Sequence, residues 1–126
     1  MTSLIDEKTT LFRAKEKEWG TLMNSKQTQL GQFNENTLVK AELDLLEDEQ
    51  VFKLIGPLLM PVELDDAKEN VAKRLEFIER ELKSVEEKMD SKNNELMALR
   101  DEIGAAQQEI KANAAAAANA IVNEED

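Results

Sequence analysis

A strict heptad pattern in the C-terminal half constrains this chain more than any other feature of its sequence. Alternating steps of four and three residues visit twelve positions, and eleven of them are apolar. A stripe this regular needs a partner helix to cover it, so the sequence predicts a left-handed coiled coil. The twelve positions are Val71, Leu75, Ile78, Leu82, Val85, Met89, Lys92, Leu96, Leu99, Ile103, Ala106 and Ile110.

The N-terminal half carries a weaker stripe of the same period. Four large apolar residues recur at heptad spacing, and five more supplement them: Ile5, Phe12, Trp19 and Phe33, with Leu4, Leu11, Leu22, Met23 and Leu30. Lys26 interrupts the stripe, and Gly20 and Gly31 each cost about 1 kcal/mol relative to alanine inside a helix. We therefore expect this helix to form the looser side of the coiled coil.

Between the two helical halves the apolar period changes from about 3.5 to two. The segments 51–55 and 58–62 flank Gly56-Pro57, a dipeptide typical of turns, so we predict a β-hairpin over about residues 51–62. Both faces of these strands are apolar and both edges are open, which favours pairing with strands of other chains. The residues expected at that interface are Val51, Phe52, Leu54, Ile55, Gly56, Pro57, Leu58, Leu59, Met60 and Val62.

The expected fold is mainly α, with a long antiparallel two-helix coiled coil connected by one β-hairpin. We predict a single domain over residues 1–126, with helices at about 4–46 and 65–110. A capping-box-like pair, Asp66 and Glu69, marks the start of the second helix, although the boundary can lie a few residues earlier. Residues 111–126 are alanine-rich and end in acidic residues, so they are expected to form a low-complexity tail.

Charge and hydropathy narrow the range of partners. The formal net charge of −11 repels a phosphate backbone, so we expect no nucleic-acid partner. No stretch approaches the ~20 apolar residues of a membrane span, and the N-terminus lacks the pattern of a signal peptide. We therefore expect a cytoplasmic protein without a membrane partner.

Residues that carry chemistry are scarce. The chain has no histidine and no cysteine, which removes the commonest general base and the thiolate nucleophile. The acidic clusters at 47–49 and 65–66 lack the spacing of a calcium loop, and no glycine-rich phosphate loop accompanies Gly56. We expect no enzymatic activity, no catalytic or metal-binding residues and no cofactor.

The hairpin and its flanks resemble the β-type subunits of prefoldin. The specific element is the ribbon Val51-Phe-Lys-Leu-Ile-Gly-Pro57, and segments 38–43 and 67–75 extend the resemblance. The resemblance implies a heterohexamer of two α-type and four β-type subunits, in which the hairpins build a double β-barrel platform. It also implies an ATP-independent chaperone that binds unfolded proteins such as actin and tubulin and delivers them to the cytosolic group II chaperonin. Pro61 departs from the family pattern, because it removes a backbone donor from the second strand.

Antiparallel helices bring both chain termini to the end opposite the hairpin, where the resemblance implies client binding. The apolar residues expected there are Leu4, Ile5, Leu11, Phe12, Ile110, Ile121 and Val122. The alternative for each residue is that it completes the apolar stripe of the coiled coil, which is called the seam below, or that it lies in the low-complexity tail. An alternative also exists for the whole chain: a coiled-coil scaffold or tether in a prefoldin-like or other assembly, without direct handling of clients.

Overall fold

The computed structural model describes residues 2–125, which form two long helices with a hairpin between them. The elements in chain order are α1 (Thr2–Asp44), β1 (Val51–Ile55), β2 (Leu58–Val62) and α2 (Leu64–Glu125). This confirms the predicted fold class, a mainly α protein in which one antiparallel β-hairpin connects two long helices. Within residues 2–125 no helix is both long and apolar enough to cross a membrane.

The chain divides into two compact units. The terminal unit comprises Met1–Leu22 and Lys88–Asp126, and the hairpin unit comprises Met23–Glu87. The prediction of a single domain over residues 1–126 stays a prediction.

Ion pairs show the direction of the helices in the terminal unit. Lys8 pairs with Glu102 at 2.7 Å between Nζ and Oε2, and Lys15 pairs with Glu95 at 2.8 Å. The residue number rises on α1 while that of the partner falls on α2, so the two helices run antiparallel.

The hairpin unit holds a short hydrophobic core. Leu43 of α1 and Val71, Ile78 and Val85 of α2 are buried. At the other end of this unit, Lys26 lies 3.6 Å from Glu86 across the helices. The same antiparallel arrangement therefore holds within this unit.

The predicted seam on α2 is confirmed. None of its twelve positions is exposed, and Val71, Ile78, Val85, Met89 and Leu99 are buried. Even Lys92 is half-buried. An apolar residue at nearly every heptad position thus faces α1, as the period requires.

The seam on α1 differs from the expected one. We predicted that Leu4, Leu11 and Leu30 supplement the apolar stripe, but all three are exposed. Lysine and amide side chains share the inner face with the large apolar residues instead. The half-buried positions at alternating steps of three and four are Ile5, Lys8, Phe12, Lys15, Trp19, Leu22, Lys26, Gln29, Phe33 and Asn36. A long lysine fits such a position because its aliphatic stem packs along the seam while its amine reaches a carboxylate on α2.

The C-terminal end of α2 also differs from the predicted one, whereas its start lies one residue from the predicted position at about residue 65. The helix begins at Leu64, and the Ala67 N–H donates to the Glu63 carbonyl at 3.0 Å, so Asp66 lies inside the first turn. There its carboxylate complements the helix dipole. The helix continues to Glu125, whereas we predicted an end near residue 110 and a tail beyond it. Alanine has the highest helix propensity, and extending an existing helix avoids the cost of nucleation. Residue 126 lies outside the described residues.

Candidate functional site

The hairpin turn requires a glycine. Gly56 has a φ of +57°, in the left-handed region, while the ring of Pro57 fixes φ near −65°. This combination matches a type II′ turn, whose backbone twist suits the twist of antiparallel strands. The two-residue connection places Ile55 directly opposite Leu58 and sets the register of the whole hairpin.

The two faces of the hairpin differ in their surroundings. Side chains alternate between faces along a strand, so the cross-strand pairs Phe52–Pro61 and Leu54–Leu59 share one face. All four of these side chains are exposed, and all four are apolar. An uncovered apolar surface of this kind is typical of a protein–protein contact.

The other face is partly covered at its base. Val51 and Val62, which pair with each other, are half-buried, and with Leu43 and Val71 they help to line a cavity of about 140 Å³ between the hairpin and the helices. The base of the hairpin therefore packs on its own helices. The other residues predicted at the interface, from Phe52 to Met60, are all exposed.

Sequence reasoning did not assign a contact role to two exposed leucines near the hairpin. Leu38 in the last turns of α1 is 67% exposed, and Leu45, just after α1, is 82% exposed. Their position in the sequence could have indicated this exposure, because neither leucine falls on the heptad seam that Phe33 and Leu43 occupy. Both leucines belong to the hairpin unit and add to its exposed apolar area.

The seven residues predicted to bind clients at the end opposite the hairpin, here called the tip residues, fall into two groups in the structure. Leu4, Leu11, Ile121 and Val122 are exposed, with 46–60% of each residue accessible. Ile5, Phe12 and Ile110 are half-buried at seam positions. The first group offers apolar surface, and the second group completes the coiled coil.

The exposed tip residues do not form one cluster. The Lys8–Glu102 pair fixes a register in which Thr2 lies opposite about residue 108. Ile121 follows roughly 13 residues later, and at 1.5 Å of rise per residue it lies about 20 Å beyond that level. Ile121 and Val122 therefore lie on a stretch of α2 that α1 does not accompany. We expected them beside Leu4 and Leu11, and the structure does not bring these pairs together.

A network of four charges occupies the seam of the terminal unit. The Lys92 ammonium lies 2.6 Å from Glu18 and 3.6 Å from Glu95, and Lys15 donates to Glu95 at 2.8 Å. The hydrogen bond from Lys92 lowers the pKa of Glu18, and the one from Lys15 lowers the pKa of Glu95. The hydrogen bond to Glu18 raises the pKa of Lys92. Lys92 thus bonds a carboxylate of the partner helix.

The sequence profile of the family described as "Prefoldin subunit" matches residues 6–110, which include the hairpin and most of both helices. The chain belongs to the prefoldin subunit family. The matched range covers the hairpin and the whole α2 seam, and it leaves the alanine-rich end of α2 outside.

Curated proteins with similar sequences carry names from the same family. The chain is 40% identical over 79 residues to the probable prefoldin subunit 6 of Caenorhabditis briggsae, a stretch covering 62% of each chain. It is 57% identical over 53 residues to prefoldin subunit 6 of Arabidopsis thaliana, covering 41% of each, and 40% identical over 73 residues to that of Homo sapiens, covering 57% of each. The chain spans less than two thirds of the length of these relatives.

Solved structures share the fold. The prefoldin beta subunit from Thermococcus strain KS-1 superposes with a TM-score of 0.77 at 20% identity, covering 82% of this chain and 91% of that one. The beta2 subunit from the same strain gives a TM-score of 0.63 at 14% identity, covering 71% and 97%. At these identities the likeness concerns the fold alone.

Proposed function

We propose that this chain is a subunit of a heteromeric prefoldin complex and that its hairpin joins it to the other α-type and β-type subunits. The observation that carries the proposal is the uncovered apolar hairpin, on which Leu54 and Leu59 are 67% and 66% exposed. A tether between two helices needs only a polar turn, whereas these strands need partners. Family membership supports the same role.

The proposed activity is ATP-independent binding of unfolded proteins, of the actin and tubulin type, and their delivery to the group II chaperonin in the cytoplasm. No catalysis or cofactor is part of it. The exposed residues Leu4, Leu11, Ile121 and Val122 are the proposed client contacts. Flexible, unfolded chains expose apolar side chains, and shallow contacts shared among several subunits can hold them without a pocket.

Two substitution sets test the two parts of this proposal separately. The double variant Phe52→Ser with Leu54→Ser should fail to co-purify with co-expressed α-type and β-type prefoldin subunits, while the helical circular dichroism signal of the chain is retained. The quadruple serine variant at positions 4, 11, 121 and 122 should enter the complex but suppress aggregation of unfolded actin less well.

The matched control replaces Phe77 and Met97 with serine, since both are exposed to a similar degree and neither belongs to either proposed surface. This control should leave assembly and client protection unchanged. Normal assembly of the Phe52/Leu54 variant would refute the role of the hairpin. An assembled quadruple variant with full client protection would favour the scaffold alternative.

A further inference from the structure

Polar side chains cover much of the α2 seam in the hairpin unit. On α1, the half-buried positions between residues 26 and 36 are Lys26, Gln29, Phe33 and Asn36. Only one of these four side chains is apolar. The α2 seam positions of the same unit are all apolar, and they are Val71, Leu75, Ile78, Leu82 and Val85. A polar stretch of α1 therefore faces an apolar stripe of α2.

The side-chain amide of Gln29 is poorly accommodated in this seam. Within residues 2–125, its Oε1 atom is buried and accepts no hydrogen bond. The antiparallel pairing of Lys26 with Glu86 puts Gln29 near the level of Leu82 and Val85, whose side chains carry no donor. Closing the seam here removes the amide oxygen from water without replacing the lost hydrogen bond, which is unfavourable.

The polar side chains on either side of Gln29 hold the two helices together only weakly. Asn36 donates from Nδ2 to the Gln32 carbonyl at 2.8 Å, so this hydrogen bond stays within α1. Lys26 Nζ lies 3.6 Å from Glu86, which is too far for a hydrogen bond. The ion pairs between the helices of the terminal unit are shorter, at 2.6–2.8 Å. The stretch around Gln29 thus lacks the polar bridges that the terminal unit has.

We propose that the coiled coil of the hairpin unit has a built-in opening point at Gln29, where α1 separates locally from α2 while the rest of the chain stays folded. Separation returns the Gln29 amide to water, which favours the open state. Burial of the apolar stripe opposes separation and keeps the open state a minor one. The opening uncovers Val85, which is 7% exposed in the closed coiled coil. This motion belongs to the chain itself and does not depend on the proposed function.

A single introduced thiol can report this opening, because the chain contains no cysteine. Val85→Cys places the thiol beneath the proposed opening point. Leu99→Cys places it at a similarly buried seam position of the terminal unit, since Val85 and Leu99 are 7% and 8% exposed. An aromatic disulfide reagent in solution reacts only with a thiol that it can reach. Its rate of reaction with the full-length chain, relative to the unfolded chain, therefore measures the population of the open state.

The deciding substitution is Gln29→Leu, which removes the amide while helix propensity stays nearly constant. It should slow reaction of the thiol at position 85 about tenfold, and that of the thiol at position 99 by less than about twofold. The matched control is Gln27→Leu, the same substitution at an exposed position of α1. This control should change neither rate by more than about twofold.

Amide hydrogen exchange in chains without an introduced thiol gives a second readout. A short helical segment that leaves its partner loses its own hydrogen bonds, so local opening exposes the amides of α1. The amides of residues 31–35 should therefore exchange about tenfold more slowly in Gln29→Leu than in the unsubstituted chain or in Gln27→Leu.

Two results would overturn the proposal. Unchanged reaction at position 85 together with unchanged amide exchange would show that the Gln29 amide does not promote opening. Equal slowing at positions 85 and 99 would show that one global unfolding event exposes both thiols, and that no local opening point exists.

Discussion

Leu99→Ala compared with Met97→Ala tests whether the seam holds the terminal unit together. The two residues lie two positions apart on α2 and have side chains of similar size and helix propensity. They differ in burial, since Leu99 is 8% exposed and Met97 is 58% exposed. A difference in stability between the two alanine variants therefore reports on packing against α1.

The expected magnitude follows from this burial. Leucine to alanine removes three carbon atoms, worth about 0.8 kcal/mol each when fully buried, or about 2.4 kcal/mol in total. Because Leu99 is 8% exposed, the transfer contribution there is about 2.2 kcal/mol. A residual cavity adds to it, but a two-helix seam is open to solvent and relaxes more than an enclosed core. We expect Leu99→Ala to lower the free energy of unfolding by about 2–3 kcal/mol and Met97→Ala to change it by less than about 0.5 kcal/mol.

Urea unfolding of the full-length chain, followed by circular dichroism at the helix band, measures this difference. Repeating the measurement at two protein concentrations distinguishes self-association through the hairpin from unfolding, because only association depends on concentration. A cost below about 1 kcal/mol for Leu99→Ala, or an equal cost for the two variants, would show that the seam does not stabilise this unit.

Two further predictions concern the charge network and the turn. In the network, the lowered pKa values of Glu18 and Glu95 stabilise the fold above their ordinary value of 4.5, and this contribution is lost as pH falls through the lowered values. The measured quantity is the melting temperature of the unsubstituted chain minus that of Lys92→Leu. This difference should decrease on acidification from about pH 7 to about pH 3. A difference independent of pH would contradict the linkage. At the turn, Gly56→Ala should destabilise the hairpin by about 1–2 kcal/mol through its φ of +57° alone, since a Cβ there meets no atom within 4 Å. Faster amide exchange at Lys53 and Met60 would show this loss, and unchanged exchange would refute the strain argument.

The hairpin and the α2 seam were predictable because both patterns are local and redundant. Eleven apolar positions at a constant period predict a helix with one buried face. The change to period two on either side of Gly56-Pro57 predicts a β-hairpin that turns at this dipeptide. Each pattern has many concordant residues, so Lys92 alone does not disturb the seam and Pro61 does not end the strand.

The inner face of α1 was not predictable in the same way. The sequence offers Leu4, Leu11 and Leu30 as apolar candidates beside the main stripe, and choosing between them and the lysines requires the rotation of α1 about its axis. Lys8 and Lys15 lie on the inner face and pair with Glu102 and Glu95, which are 94 and 80 positions away in the chain. Such long-range pairs are not visible in a local pattern.

The sequence by itself determined the element order, the antiparallel pairing and the apolar character of the hairpin, since these depend on periodicity and on one short connection. Only the tertiary structure decided which apolar residues are available for contact. Leu4 and Leu11 are exposed while Ile5 and Phe12 complete the seam, and Ile121 lies beyond the end of α1. The physical reason is that burial depends on the register and rotation of two helices at once, and neither helix encodes the position of the other.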